Sequence, residues 1–389
     1  MGKVVLELIP ESPLRVGGIK PKGNFLGTVG YIPGSVLRGT LAEWFKIQGR
    51  EGDIVPVVSE TRFGNLFPAP REAHYALPFP LTALECKLHG GFRTEGGHGI
   101  RDSLLVACVY EELERLGARF PVPLLFRCRE CGGRMEKVRG FCAYTSSGWR
   151  KVQISLGLQT KVALSRFRHV AQEGALYRIM GIRPKDGLVF LGRLSFQKEE
   201  QLRDLEAAVE HLGVGALTTR GFGRARLAVR DDVFPPLSER LRRFNEQLQT
   251  VWRDLLRLCW QAGEAKAIPE RPYHTYFSLD LLSPGIFADA SGLPSLVPVL
   301  ELAGESLSPV FWATHRDFAG GWSTAWGLPK PTALAAAQGS TYVFKSSLGG
   351  HELIHLLKAL ESWGIGERTD EGFGEVVVCH PLHQEVMPV

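Results

Sequence analysis

LEAAVEHLGVGALTTRGFGRARLAV, residues 205–229, decides how this chain is organised. It reads as an amphipathic helix, a G-h-G turn, a polar loop, a G-F-G turn and a strand. A second stretch, LLKALESWGIGERTDEGFGEVVV at residues 356–378, follows the same order. The segments that open each half also match. VLELIPESPLRVGG begins at Val5 and FSLDLLSPGIFADASG begins at Phe277, and both are alternating strands that end in a Ser-Pro turn. Two copies of one unit account for all four segments, with the second copy starting near residue 270.

The first copy is expected to have a strand near 3–9, a helix at about 35–48, and strands near 151–160 and 176–197. A helix at about 199–212 and a strand at 223–230 complete it. That is the β-α-β-β-α-β order of ferredoxin-like units. A large insertion, about 50–150, interrupts it. The second copy has strands near 275–282 and 340–346, a helix near 350–363 and a strand at 374–380, with no clear first helix. Between them, Leu237, Leu241, Phe244, Leu248, Val251, Leu255 and Leu258 form one apolar seam, widened by Trp252, Leu256 and Cys259. This predicts a connecting helix packed on both units in preference to a dimerising coiled coil. The expected fold class is α+β, with domains at 1–232 and 269–389 joined by a helical segment at 233–268.

Composition narrows the function classes. The 389 residues are 44% hydrophobic and 22% charged, as in a globular protein. No apolar run is long enough to span a membrane and no signal-peptide core is visible, so a cytoplasmic protein is expected. Seven cysteines, two of them in a C-x-x-C, favour metal over disulfides. Net charge is +5, but residues 151–230 carry 14 Lys and Arg against 7 acids, while residues 271–389 carry 6 against 12. A polyanion would be drawn to the first segment and repelled by the second.

Three groups of residues carry candidate chemistry. Pro33-Gly34-Ser35 precedes a helix whose start would attract phosphate, with Ser35 as N-cap, Arg38 one turn inside and Gly39 allowing close approach. In the first glycine loop, Gly221 and Gly223 free the backbone, Arg220 and Arg224 pair with phosphate, and Phe222 either stacks on a base or anchors the loop. The second loop has one arginine against four acids, so the first unit should grip nucleic acid and the second mainly contact protein. In the insertion, Cys128 and Cys131 form half of a tetrahedral zinc site, and Cys86, His89, His98 and Cys142 are available for the other half.

YIPGSVLRGTLAEWF at residues 31–45, with the two glycine loops, resembles the RAMP superfamily of CRISPR-associated proteins. The whole chain resembles the Cas-five-group RAMP subunit of subtype III-D effector complexes, through PLTALECKLHGGFRTEGGHGIRDSLL, the C-x-x-C, and GGWSTAWGLPKPTALAAAQGSTYVF. The resemblance implies RRM-related domains and binding of CRISPR RNA inside a multi-subunit complex that surveys target RNA. Its partners would be a large polymerase-like subunit and backbone RAMP subunits. It also implies Cys86 and His98 as the partners of Cys128 and Cys131 around a structural zinc. A non-catalytic subunit is expected. Processing nucleases of this class place a histidine near the first helix, and here that helix has none. His74, His89, His98 and His169 show no partner in sequence, and Asp53 and Asp102, the acids to test for a target-cleaving role, lie in no catalytic motif.

Overall fold

In a computed structural model, residues 2–18, 23–261, 268–323 and 327–387 are described. The first unit is built on β1 (Gly2–Pro10), α1 (Gly34–Ile47), β2 (Leu188–Phe196), α2 (Glu199–Leu212) and β3 (Ala225–Arg230). Strand β1 lies between β2 and β3, antiparallel to both. Alternation along β1 decides what covers each face. Leu6 and Leu8 join Phe190 and Leu194 of β2 under Leu37, Leu41 and Phe45 of α1 and Leu205 and Val209 of α2. Val5, with Val189 and Leu191, faces the opposite way into a cluster formed with the insertion.

The second strand of the first unit is not where the sequence suggested. Arg62–Phe63 and Phe67–Pro70, which follow α1 after a short helix at Ile54–Glu60, pair with β2 and complete the sheet. Leu156–Leu164 and Ala171–Ile182 instead form a separate antiparallel hairpin, joined by Phe25–Leu26. Leu156, Leu158, Val162 and Leu164 alternate as core residues would, yet they face solvent. The strand expected near 151–160 therefore belongs to this hairpin and not to the first sheet.

Of the expected insertion at about 50–150, residues 62–70 belong to the first sheet, and the remainder has a core. Phe79, Phe92, Phe141 and Trp149 pack on the back of that sheet. The insertion helix, Leu104–Arg115, contributes Leu105, Cys108, Val109 and Leu113 to the core of the second unit.

The connector α3 (Leu237–Leu256) buries Leu237, Leu241, Phe244, Leu248, Val251, Trp252 and Leu255, so its seam is spent within the chain. Leu258 lies beyond the helix and is exposed. The second unit has β4 (Thr275–Leu281) between β5 (Thr341–Ser346) and β6 (Val376–Val378), with α4 (Gly350–Trp363) between the last two in sequence. Phe311–Ala313 pairs on the outside of β5. Among the described residues no helix lies between β4 and Phe311–Ala313. Phe287 instead packs against Tyr342 of β5, whose hydroxyl donates to the Leu296 carbonyl at 2.6 Å. On the opposite face, Tyr276 and Lys345 both reach Glu112 of the insertion helix, at 3.1 Å. A further hairpin, Arg316–Ser323 with Leu328–Ala336, extends from this unit. No helix among the described residues is long and apolar enough to cross a membrane.

Candidate metal centre and glycine-loop surfaces

Four ligands that lie far apart in sequence meet at the edge of a three-stranded sheet. Ala83–Cys86 pairs with Arg101–Asp102 on one side and Met135–Lys137 on the other. Cys86 ends the middle strand, His98 sits in the loop leading to Arg101, and Cys128 and Cys131 lie in the turn before Met135. The ligand atoms of Cys86, His98, Cys128 and Cys131 all lie within 4.8 Å of one another. Cys86 Sγ is 3.6 Å from Cys131 Sγ, and Cys128 Sγ is 3.3 Å from His98 Nδ1. A zinc tetrahedron with its usual bond lengths has edges of about 3.8 Å between sulfurs. The donor set and its spacing therefore fit a metal ion.

Backbone donors prepare the sulfurs for that role. Burial alone would raise the Cys86 and Cys128 thiols. The N–H groups of His89 and Leu88 hold Cys86 below its ordinary value, and those of Cys131 and Glu130 do the same for Cys128. His89 is thus a supporting residue, with its ring 4.3 Å from that of His98. Cys142 is outside the cluster, buried with its Sγ 3.5 Å from the Leu77 carbonyl, and burial pushes its thiol up.

The two glycine loops share one backbone. Leu217 and Arg368 both adopt left-handed φ, at 67° and 56°, before a short 3-10 turn. A Cβ on Gly213 would meet Gly223 O at 2.7 Å, and one on Gly364 would meet Gly374 O at the same distance, so both positions require glycine. The Ser-Pro turns close both loops. Arg224 N–H donates to Ser12 Oγ at 2.9 Å, and Glu375 N–H donates to Ser283 Oγ at 3.0 Å.

Their surroundings differ. In the first loop Arg220, Gly221 and Arg224 are exposed, and among the described residues Arg220 Nη1 donates only to the Tyr177 hydroxyl, at 3.3 Å. Phe222 is 3% exposed, beneath the hairpin at Gly181, so it anchors the loop and presents no face to a base. Gly223 is buried as well, its N–H given to the Pro13 carbonyl.

The second loop seals the start of α1, where the sequence pointed to phosphate. The helix begins at Gly34 after Pro33, so Ser35 is not its N-cap. Gly34 N–H donates to Asn65 Oδ1 at 3.0 Å, and Asn65 Nδ2 donates to the Gly372 carbonyl and to Glu375. Arg38 donates to Asp370 through its backbone and carboxylate oxygens. An acidic loop of the chain thus takes the place beside a helix N-terminus that an anion would take. Gly39 faces open space. Glu375 is held up to about 6, because desolvation outweighs its hydrogen bonds from Asn65 and the nearby charge of Arg193.

The acidic and histidine candidates find structural partners. Asp102 is buried, capping the insertion helix through Leu104 N–H at 2.7 Å, with His383 Nδ1 at 3.2 Å. His383 lies between Asp102 and Asp280, and although burial alone would lower it, the two carboxylates push it up to about 10. This network joins insertion, second sheet and C-terminal segment, and no motif in the sequence marks it. Asp53 pairs with Arg50 at 2.8 Å. The His74 ring is 6.3 Å from that of Tyr144.

The family model of the RAMP superfamily matches residues 7–226. This chain belongs to the RAMP superfamily. The model for the CRISPR-associated protein Cas_Cmr3 matches residues 158–381, so this RAMP is Cmr3-like. No curated protein sequence matches it. Similar solved structures include a chain of the type III-B Cmr-beta complex bound to cognate target RNA, with 11% identity, 96% of each chain covered and a TM-score of 0.43. Another is a chain of the Csm1–Csm4 cassette in complex with AMPPNP, with 14% identity, 87% of each chain covered and a TM-score of 0.33.

Proposed function

We propose that this Cmr3-like RAMP, a subunit of a type III CRISPR effector complex, is a non-catalytic CRISPR-RNA-binding subunit of subtype III-D. It holds the repeat-derived five-prime handle of the guide and contacts the large subunit. Its two units are ferredoxin-like, and a structural zinc on Cys86, His98, Cys128 and Cys131 stabilises the insertion. One observation carries the RNA assignment. The same loop backbone occurs twice, and only the first copy leaves its arginines, Arg220 and Arg224, exposed without a carboxylate partner among the described residues. The hairpin beside it supports this, since its tip carries Arg166, Arg168 and His169 around Phe167, which is 94% exposed. Phosphate pairing by arginine and stacking by an exposed ring are the standard means of holding single-stranded RNA.

Catalytic silence is supported by the structural engagement of Asp102 and Asp53. The zinc is structural in this reading because four protein ligands leave no position for a reactive water.

The test combines binding and cleavage. The purified chain should bind repeat RNA and leave it uncut with or without magnesium, and Arg220→Ala with Arg224→Ala should weaken binding. Cleavage lost in His169→Ala would place the protein among the processing nucleases. Elemental analysis should give about one zinc per chain, reduced in Cys128→Ser; a metal-free, folded wild type would end the zinc assignment.

A further inference from the structure

A cavity of about 290 Å³ opens on the Cys-His cluster, with His98 and Cys128 in its wall beside Arg93, Arg101, Arg127, Arg129, Met135 and Met387. Arg93 pairs with Glu130, and Arg101 with Glu385 at 2.9 Å. Arg127 and Arg129 have no carboxylate partner among the described residues; Arg127 Nη1 reaches only the Gly132 carbonyl, at 3.4 Å. Arg134, Lys137 and Arg139, on the same knuckle, are exposed and without ion pairs among the described residues.

A solvated charge run or compensation of the thiolates would be the simplest explanation. The numbers argue against compensation. Three thiolates around a divalent ion leave one negative charge. Residues 127–139 carry five basic side chains against two acidic ones, Glu130 and Glu136, and Arg93 already neutralises the first. The excess is larger than the cluster needs, and two of its members, Arg127 and Arg129, line the cavity.

We infer that this cavity is a second RNA-contact site, which takes one nucleotide unit of the RNA; the inference rests on the RNA-binding reading above. Arg127 and Arg129 hold the phosphate, since guanidinium groups match its oxygens in pairs. Met135 and Met387 provide a soft apolar wall for the base. The volume is at the lower end for a ligand pocket, which suits a single nucleotide. The cluster's part is to fix Arg127 and Arg129, which flank Cys128, against the wall.

The experiment uses the full chain with repeat RNA containing 4-thiouridine. Cross-links should appear in the peptide covering residues 127–139. Arg127→Ala with Arg129→Ala should weaken binding about tenfold at low salt and reduce the salt slope by about 1.4, the value for two lost single-strand phosphate contacts, with zinc per chain unchanged. If those changes also release zinc, the wild-type cross-link map decides alone. Wild-type binding that depends on Arg220 and Arg224, with no cross-link at 127–139 and an unchanged Arg127/Arg129 variant, overturns this inference and leaves the proposed function standing. Absence of RNA binding by the wild type overturns both. Competition by free AMP as strong as by RNA of equal phosphate content would put a free nucleotide in the cavity and overturn the RNA assignment.

Discussion

The loops at 213–223 and 364–374 have one backbone and two destinies. Both turn through left-handed residues at matching positions, and both are pinned by a serine hydroxyl from a Ser-Pro turn. Arg220 in the first corresponds to Glu371 in the second, and Arg224 to Glu375. The arginines face solvent. Glu371 is clamped by Lys330 at 2.6 Å and Arg368 at 2.8 Å, which hold its carboxyl down to about 2 against the effect of burial. Glu375 accepts from Asn65 of the first unit. Glycine spacing therefore fixes the loop's shape, and two side chains decide whether that shape is a free cationic surface or a seam between units.

The seam should give the largest effect. Asn65→Ala removes the acceptor of Gly34 N–H and the donor to Gly372 and Glu375 at a buried position. Unsatisfied buried groups cost about 1–3 kcal/mol each, so thermal melting should fall by several degrees, while the first loop keeps its RNA affinity at temperatures where the variant is folded. A smaller effect is expected from pH. Glu375 is at about 6 in the folded chain against 4.5 normally, so the folded state holds the proton more tightly. Its stabilising contribution is complete below about 4.5 and is lost as pH rises through about 6, a change on the order of 2 kcal/mol. Chemical denaturation of wild type and Glu375→Gln across that range should show this contribution as the difference between their two pH profiles, since buried His380, lowered to about 4, adds an opposite slope to both. The smallest effect is expected for Arg368→Ala. Arg368 serves Glu371 and the Pro331 carbonyl, so RNA affinity measured by fluorescence anisotropy should stay within about twofold, with the salt slope unchanged because no phosphate contact is removed.

The repeat was legible because glycine at positions of positive φ is a backbone requirement written directly into sequence. The Cys128 and Cys131 half of the cluster was legible for a similar reason, since metal ligands are chemically narrow, whereas the choice of Cys86 and His98 over His89 and Cys142 came from the family resemblance. The cluster's outer support, the backbone N–H groups of His89 and Leu88, carries no side-chain signature. The connector seam could be read from its spacing, while for Phe222 the sequence leaves stacking and anchoring both open, and its burial decides for the anchor. What failed was everything that depends on which surface meets which. Leu156 to Leu164 alternates like a core strand but belongs to an exposed hairpin. Gly34, Ser35 and Arg38 have the pattern of an anion site, and only tertiary placement shows Asp370 and Gly372 already there. The second unit's missing first helix left an absence of pattern, and an absence does not say that the 287–302 segment fills that face.

Charge reversal on the first loop is the most direct test that two side chains separate the copies. Arg220→Glu with Arg224→Glu gives the first loop the charges that the second carries at the matching positions, Glu371 and Glu375, on an unchanged backbone. Both side chains are exposed, so the melting temperature should hardly move. RNA affinity, followed by anisotropy from low to high salt, should collapse at low salt, and the salt slope should fall by at least about 1.4 for two lost contacts. A folded charge-reversed protein that binds RNA as tightly as the wild type, with the same salt slope, would contradict the assignment of the first loop as the RNA-gripping surface.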